Sequence, residues 1–423
     1  MLNAQTFLFM ALLLALMTIL SGLYPALIIS GYNPSLALKN KITSANIGGI
    51  SLRRGLVVLQ FSISQILLIG TIVAISQMNF VNQADLGFNK EALLLISANT
   101  DSVILSKMPA FKQQLLSLHS VKSVSFTSDA PSSDNNWSTN FAVNHKADEP
   151  YQVSLKFGDD DYLNTFELQL AAGRFYNKSD TMNEVVINET LLHKLSLKNP
   201  QEAIGKDIRL GGQRWKKVVG VVKDFKDHSL KKAVAPILLA ENHTAYWVIA
   251  VKINSHNIPQ AQAAIQKVWD GFFPEYAYTS SFMDENIAKF YEQEEQLELL
   301  YKIFAGIAIF ISCLGLYELV SFMAAQKTKE TGIRKVLGAS VMNIVYLFSK
   351  EFTILILTAF PIAVPVGYYM MNSWLANFSF RIRISIWIFV LAILASVVIA
   401  WITVGYRAIK AAVANPVKSL RTE

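Results

Sequence analysis

The sequence predicts an α-helical polytopic membrane protein that carries one large mixed α/β domain outside the bilayer. Three observations support this: the composition, the grouping of apolar residues into long runs, and basic residues at alternate ends of those runs. Hydrophobic residues make up 52% of the 423 residues and charged residues only 16%, whereas a typical soluble domain has about 25% charged residues. The composition therefore favours membrane insertion over a soluble fold.

Five apolar runs reach the roughly 20 residues that a helix needs to cross a bilayer. They are Phe7–Ile29, Gly55–Met78, Leu299–Ala325, Phe352–Met371 and Ile384–Tyr406. The first run has an alternative interpretation as a signal peptide. It lacks a basic region before it and an Ala-x-Ala site after it, so we interpret it as a span.

Basic residues cluster at alternate ends of these runs and predict the orientation of the chain. The clusters are Lys39, Lys41, Arg53 and Arg54; Lys327, Lys329, Arg334 and Lys335; and Arg407, Lys410, Lys418 and Arg421. Because cytoplasmic loops are enriched in Lys and Arg, we place 30–54, 326–341 and 407–423 in the cytoplasm. The polar block 79–298 and the loop 373–383 are then external, although Arg381 and Arg383 oppose this weakly. The same distribution explains the net charge of +7 without nucleic-acid binding.

The two ends of the chain contain an internal repeat. Tyr24–Lys39 and Tyr406–Arg421 share Tyr, Ala, Asn-Pro, Leu and a terminal basic residue at a constant offset. Each copy ends an apolar run, and Asn-Pro stops a helix because proline disfavours the α conformation before it. We interpret 1–54 as the last span and tail of a preceding module, so that the chain is one complete module plus the end of another.

The block 79–298 alternates strand and helix patterns, which predicts a mixed α/β fold. The polar extension Asn79–Asn89 and the amphipathic stretch Asp284–Leu299 are interpreted either as a stalk under the domain or as ordinary solvated linkers. The predicted strands are Ala92–Ser97, Val121–Thr127, Tyr151–Phe157, Glu184–Ile187, Val218–Val222 and Tyr246–Val251, and the predicted helices are Lys107–Leu118, Glu189–Leu197 and Ile258–Phe272.

The sequence shows no motif for catalysis, and we predict neither a cofactor nor a resident metal. The six histidines have no zinc-ligand spacing, and Asp159-Asp160-Asp161 lacks the spaced ligands of a calcium loop. Ile204-Gly-Lys206 is followed by Asp207, whereas a phosphate loop needs Ser or Thr there. Any ATP used by the protein must therefore bind to another chain.

Several stretches together resemble the MacB/FtsX-type ABC transporter permeases. The matching residues are Gln326–Ser340 (QKTKETGIRKVLGAS), Ser349–Phe352, Ala414–Arg421, Val57–Phe61, Gly173–Phe175, Glu184–Glu189 and Val218–Phe225. The resemblance covers the chain from Gly22 onward. It implies a MacB-like periplasmic domain within a four-span FtsX-like module, with one extra N-terminal span before it.

The resemblance also implies partners, a location and a division of the chain. A separate cytoplasmic ABC ATPase would hydrolyse ATP, so the chain itself would be no enzyme. The chain would sit in membrane lipid at the bacterial inner membrane, as a homodimer or paired with another permease module, with a periplasmic adaptor or outer-membrane channel as further partners. The predicted parts are 1–54 from the preceding module, 55–78 as a transmembrane helix, 79–298 as the periplasmic domain, 299–325 as a transmembrane helix, 326–341 as the coupling segment, and 342–423 as the remainder with two spans and a tail.

The coupling segment is the main predicted site. The basic side chains would pair with acidic groups on the ATPase, the apolar ones would enter a groove, and the glycines would permit sharp turns. The alternative is a basic loop that only fixes topology. The predicted site residues are Lys327, Lys329, Glu330, Gly332, Ile333, Arg334, Lys335, Leu337 and Gly338.

Three charged residues lie in or near the apolar runs. Lys350 and Glu351 are predicted at the membrane interface. Glu318 lies within a span, where the family usually has a small or neutral residue, and an intramembrane carboxylate is a functional hypothesis by default. The alternatives for Glu318 are a structural pairing with a polar group on another span, or a position near the inner interface from which the side chain extends to the membrane surface. Cys313 is interpreted as a packing residue.

Three functions follow as hypotheses. The first is a permease subunit that passes ATP-driven motion to the periplasmic domain and so exports or releases a drug, peptide or lipoprotein. The second is an FtsX-like signalling subunit that regulates a periplasmic cell-wall hydrolase without transport. The third is an ion-coupled carrier that uses Glu318.

Overall fold

A computed structural model describes residues 4–30, 49–133, 136–179, 182–254, 257–326, 333–334 and 337–413. Within these ranges the chain forms ten α-helices and twelve β-strands. The helices are α1 (Ala4–Ser30), α2 (Gly49–Gln83), α3 (Ser102–Leu116), α4 (Tyr162–Phe166), α5 (Glu189–Lys194), α6 (Ile258–Phe272), α7 (Met283–Lys289), α8 (Glu292–Gln326), α9 (Val341–Leu375) and α10 (Ile386–Val413).

Four of these helices are long and apolar enough to cross a membrane. The qualifying stretches are Arg54–Gln83, Glu292–Met323, Val341–Leu375 and Ile386–Gly405. The fifth predicted span, Phe7–Ile29, is not among them, so the predicted count of five is not confirmed in the described part of the chain. A shorter apolar stretch, Phe7–Ile19, lies within α1.

The chain divides into two compact units. The helix unit comprises 1–63, 309–361 and 396–423, and the domain unit comprises 64–308 and 362–395. In the helix unit, side chains of α2, α8, α9 and α10 share one buried apolar cluster that includes Phe61, Leu316, Phe352 and Ala400. The domain unit contains the remaining parts of those helices together with an α/β domain, residues 84–291.

The first sheet of the α/β domain has four antiparallel strands in the order β12-β1-β11-β2. Their bounds are β1 (Leu93–Ser97), β2 (Val121–Thr127), β11 (Val248–Ile253) and β12 (Ser280–Phe282). Helices α3 and α6 contribute one apolar face each to the core on this sheet, with Phe111 and Trp269 among its largest fully buried side chains. The two rings meet edge-on at 5.9 Å.

The second sheet is inserted in the sequence between β2 and β11. Its order is β3-β5-β10-β7-β9-β8-β4, with β6 also paired to β9, and it mixes parallel and antiparallel pairs. The bounds are β3 (Trp137–Thr139), β4 (Phe141–Val143), β5 (Val153–Phe157), β6 (Leu170–Gly173), β7 (Glu184–Asn188), β8 (Asp207–Leu210), β9 (Trp215–Val222) and β10 (Ile237–Ala240).

The ends of the long helices pack into the α/β domain. Met78 and Val81 from α2 belong to the same buried cluster as Leu230, Ile287 and Tyr291. The Asp284–Leu299 stretch is not one continuous helix, because α7 ends at Lys289 and α8 begins at Glu292. The predicted extensions Asn79–Asn89 and Asp284–Leu299 both contribute side chains to the core of the domain: Val81 from the first, and Ile287 and Tyr291 from the second.

Candidate functional site

The predicted coupling segment lies between α8 and α9, and the structure describes four of its nine predicted residues. These are Ile333, Arg334, Leu337 and Gly338. The other five lie outside the described residues: Lys327, Lys329, Glu330, Gly332 and Lys335.

A short helical turn at the end of the segment is closed by Gly338. The Leu337 amide donates to the Ile333 carbonyl at 3.0 Å, and the Ala339 amide donates to the Arg334 carbonyl at 2.9 Å. Gly338 has a φ of +89°. A residue in the left-handed region followed by an amide that bonds five residues back is a Schellman motif, so Gly338 has a backbone role that glycine fills without strain.

The next helix begins immediately after this motif. The Asn343 amide donates to the Ser340 hydroxyl oxygen at 3.2 Å, which satisfies one of the unpaired donors in the first turn of α9. Within three residues the chain thus ends one helical turn at Gly338 and starts α9 at Val341. This explains the Gly-Ala-Ser sequence as a stop signal followed by a start signal.

Two apolar side chains on this turn are exposed. Ile333 is 51% exposed and Leu337 is 80% exposed. Residues four apart lie on one face of a helical turn, so the two side chains present a small apolar surface. Arg334 lies between them in the sequence.

Glu318 lies on an exposed face of α8 in the helix unit. It lines a pocket of about 120 Å³ together with Leu56, Val57, Gln60, Gly315 and Leu319. A Cβ on Gly315 would lie 2.5 Å from the Gln60 side-chain oxygen, so the glycine permits this polar side chain of α2 to approach α8. Pockets that hold drug-sized ligands measure about 300–1,000 Å³, which makes this pocket too small for such a substrate.

Glu351, predicted at the membrane interface, forms an ion pair. Its carboxylate lies 3.5 Å from the guanidinium of Arg54, and the pair joins the start of α2 to α9 inside the helix unit. Sequence reasoning did not find this pair, because nothing local links two residues that are 297 positions apart.

In the α/β domain, three of the sequence stretches that carried the family resemblance meet one another. Gly173 has a φ of +72°, and a Cβ there would lie 2.3 Å from the Val219 carbonyl oxygen. A Cβ on Gly220 would lie 2.1 Å from the Arg174 carbonyl oxygen. The two glycines therefore allow the backbones of β6 and β9 to pair in close contact, which is a packing role rather than a catalytic one.

The same junction is closed by an ion pair. Arg174 donates two hydrogen bonds to the Glu184 carboxylate, one of them at 2.8 Å. The arginine holds the pKa of the Glu184 carboxyl below its usual value. Glu184 begins β7, so the pair ties the turn after β6 to the start of β7.

Asn188 and Asp224 join β7, α5 and the loop after β9. The Asn188 amide nitrogen donates to Asp224 at 2.8 Å and to the Ala235 carbonyl at 2.9 Å. Its side-chain oxygen accepts from the amides of Leu191 and Ile237. Asp224 in turn accepts from the Thr190 amide and hydroxyl. These buried polar groups all have hydrogen-bond partners, so Asn188 and Asp224 have a structural role.

The acidic run Asp159–Asp161 brings three carboxylates close enough to share a cation. The Lys112 ammonium already lies 2.6 Å from oxygens of Asp159 and Asp161. Burial raises the pKa of the Asp159 carboxyl, and the lysine partly offsets this. The ammonium bridges two of the three carboxylates, which is the arrangement of a structural ion pair.

The geometry defines a multi-pass membrane protein with an α/β domain between the first and second of its four described spans. Two family models cover most of this chain: the MacB-like periplasmic core domain matches residues 46–268, and the FtsX-like permease C-terminal model matches residues 302–416. The chain belongs to the MacB/FtsX-type ABC transporter permeases.

Two curated relatives come from Bacillus subtilis (strain 168). The uncharacterized ABC transporter permease YvrN is 25% identical over 287 residues, which cover 63% of this chain and 69% of the relative. The uncharacterized ABC transporter permease YknZ is 24% identical over 221 residues, which cover 50% of this chain and 55% of the relative.

Solved structures of related domains also resemble this chain. The periplasmic region of MacB from Actinobacillus actinomycetemcomitans has a TM-score of 0.36 at 15% identity, over 49% of this chain and 95% of that chain. The extracellular domain of the noncanonic ABC-type transporter YknZ from Gram-positive bacteria has a TM-score of 0.31 at 17% identity, over 45% of this chain and 98% of that chain.

Proposed function

We propose that this chain is a transporter subunit that receives ATP-driven motion from a separate cytoplasmic ATPase and passes it to its α/β domain, which then exports or releases a substrate. The observation that carries this proposal is the turn at Ile333–Gly338, with two exposed apolar side chains inside a cationic segment. The proposed location is the bacterial inner membrane, with the α/β domain on the outer side.

The chemistry of the turn supports a docked partner better than a free loop. Burying an exposed leucine side chain contributes about 1.5–3 kcal/mol, whereas leaving it in water gains nothing. Lys327, Lys329, Arg334 and Lys335 would pair with acidic groups around the docking groove. A loop that only fixed topology would need the positive charges but not the apolar side chains of Ile333 and Leu337.

The helix ends that bound the turn support transmission of motion. The turn is joined to α9 by the Gly338–Ser340 junction, and Ser340 caps the first turn of that helix. A displacement of the turn is therefore passed directly to α9, since the connection has no long flexible linker. We also propose that the permease works as a pair, either as a homodimer or with another permease module. A periplasmic adaptor and an outer-membrane channel are its further proposed partners.

The test is co-purification of the full chain in detergent with candidate ABC ATPase subunits from its own genome. We expect a stable complex that Leu337→Asp weakens by at least about tenfold, because about 1.4 kcal/mol corresponds to a factor of ten. The double variant Lys329→Glu/Lys335→Glu should weaken it as well.

Lys39→Glu/Lys41→Glu is the matched control, since it makes the same charge change on the same predicted side of the membrane. The control should keep the complex. If wild-type chain binds none of the ATPases, or if control and segment variants lose binding equally, the coupling role is wrong.

A further inference from the structure

The loop that joins α9 to α10, residues 376–385, is bound to the α/β domain. The Ser379 amide donates to the Lys231 carbonyl at 3.1 Å, and the Phe380 amide donates to the Leu230 carbonyl at 3.0 Å. The Ser379 hydroxyl donates to the same Lys231 carbonyl at 2.9 Å. Backbone hydrogen bonds of this kind are typical of a docked segment, whereas a solvated loop between two spans has no need of them.

Side chains of the loop strengthen this attachment. Phe378 is 2% exposed and belongs to the buried cluster of the α/β domain that also contains Leu230 and Tyr291. The Lys226 ammonium lies 3.4 Å from the centre of the Phe380 ring, within the range of a cation–π interaction. The loop therefore contributes one aromatic ring to the core and a second to the surface of the domain.

Gln77 of α2 holds the other side of the loop. Its amide nitrogen donates to the Phe380 carbonyl at 3.1 Å, and its side-chain oxygen accepts from the Ile382 amide at 3.0 Å. The Gln77 side chain is fully buried. A buried amide that satisfies both a carbonyl and an amide of one loop fixes the position of that loop, because moving it would leave buried polar groups unpaired.

The docking segment, residues 226–231, is itself joined to the start of α8. The Leu230 amide donates to the Tyr291 hydroxyl at 2.6 Å, and the Lys231 ammonium lies 2.5 Å from the Glu294 carboxylate. The segment therefore contacts the start of α8 directly, and α2 through the loop that Gln77 holds. All of these residues belong to the domain unit.

We propose that the 376–385 loop is a third fixed connection between the spans and the α/β domain, in addition to the two chain connections at α2 and α8. Gln77 is its positioning residue, and the 226–231 segment is its docking site. In this arrangement the outer ends of α9 and α10 move together with the domain. This inference deepens the proposed function and rests on it for the source of the motion.

The first experiment is amide hydrogen exchange on the full chain in lipid nanodiscs, which needs no ATPase. The amides of Ser379, Phe380 and Ile382 should be protected. Gln77→Leu should speed exchange at Phe380, Ile382 and residues 226–231 by at least about tenfold, since the loss of two hydrogen bonds from one buried side-chain amide costs more than about 1.4 kcal/mol.

Gln83→Leu, the same change at an exposed position of α2, is the control and should leave these exchange rates unchanged. Unprotected loop amides in the wild-type chain, or equal exchange in both variants, would overturn the docked loop.

The second experiment adds the partner ATPase and a non-hydrolysable ATP analogue. Nucleotide should change exchange at residues 226–231 in the wild-type complex, and Gln77→Leu should abolish that change while ATPase binding and turnover stay within about twofold of wild type. An unaltered response in Gln77→Leu contradicts transmission through the loop. Loss of ATPase binding in the wild-type chain contradicts the proposed function instead, so the two failures are distinguishable.

Discussion

Gly220 lies against the backbone of Arg174, and a Cβ at that position would sit 2.1 Å from the Arg174 carbonyl oxygen. Both residues belong to stretches that carried the family resemblance, although they are far apart in the sequence. The contact lies where β6 pairs with β9 in the α/β domain. The predictions below test this close backbone contact and the buried polar groups of the same domain.

We expect Gly220→Ala to destabilise the α/β domain by about 3 kcal/mol, the upper end of the range for overpacked sites. The clash is with backbone atoms, which cannot move aside by a rotamer change. Urea unfolding of the full chain in nanodiscs, followed by tryptophan fluorescence, measures this. Gly271→Ala is the control: nothing lies within 4 Å of its Cβ position in α6, so it should stabilise by up to about 1 kcal/mol. Equal effects at both glycines would contradict the close backbone contact at Gly220.

We expect Asn188→Ala to cost about 3 kcal/mol, because it leaves the amides of Leu191 and Ile237 and the Ala235 carbonyl without their partner. Asn199→Ala removes a cap from an exposed short helix and should cost about 1 kcal/mol. Denaturant unfolding of the same preparations measures both.

The variant Asn188→Asp provides a pH signature for the same structural role. It keeps the acceptor oxygen but turns the donor into a carboxylate oxygen that faces Asp224 and a carbonyl, so burial and repulsion raise the pKa of the introduced carboxyl. A raised pKa in the folded state means that stability is lost as pH rises. The variant should therefore approach wild-type stability near pH 4 and fall behind at pH 7. A pH-independent difference would refute the donor role.

The Arg174–Glu184 pair should make part of the stability depend on acid pH. Glu184 has a pKa below its usual value of 4.5, first because of its hydrogen bond from Arg174. A lowered carboxyl pKa gives stability that is present above the unfolded value and lost as pH falls through the folded one. Arg174→Met should flatten this loss below pH 4.5 by less than about 1 kcal/mol, since the pair is half exposed. The exposed Arg214→Met is the control and should keep the wild-type slope.

Lys156 and Asp129 form a fully buried ion pair in the domain. The Lys156 ammonium also donates to the Ala130 carbonyl at 3.1 Å, and Ser128 donates to the other oxygen of Asp129 at 2.9 Å. Lys156→Met should cost about 3–5 kcal/mol, because it leaves a buried carboxylate without its cation.

The double variant Lys156→Met/Asp129→Leu tests the pairing itself. It should recover much of the stability lost in the single variant, because two apolar side chains need no partner. A double-mutant cycle from urea unfolding gives the coupling free energy. Additive losses in the two single variants would show that the residues do not act as a pair.

The sequence predicted elements well where the local pattern was long and regular. Helix α6, Ile258–Phe272, and strand β2, Val121–Thr127, have the predicted bounds, because each has a clear apolar period and a polar boundary. Six short strands were missed, since three or four residues carry no period that separates a strand from a turn. They are β3, β4 and β12, of three residues each, and β6, β8 and β10, of four residues each. Their pairing depends on neighbours that are distant in the chain.

The coupling segment shows what the sequence by itself determined about this protein. Its apolar, basic and glycine residues are contiguous, so their order alone indicated a turn between two spans, and the Gly338–Ser340 junction has the backbone that those residues favour. The four long spans could also be predicted from the sequence, because the length of an apolar run is a local property.

Only the tertiary structure placed Gln77, Phe380 and Lys231 together. Gln77 and Phe380 are 303 positions apart, and a glutamine inside an apolar run gives no sign of which backbone it will satisfy. The bond exists because burial leaves the amide and carbonyl groups of the 376–385 loop in need of partners, and the fold brings α2 within reach. The sequence determined that the spans and the domain exist, and the packing of one against the other decided which residues connect them.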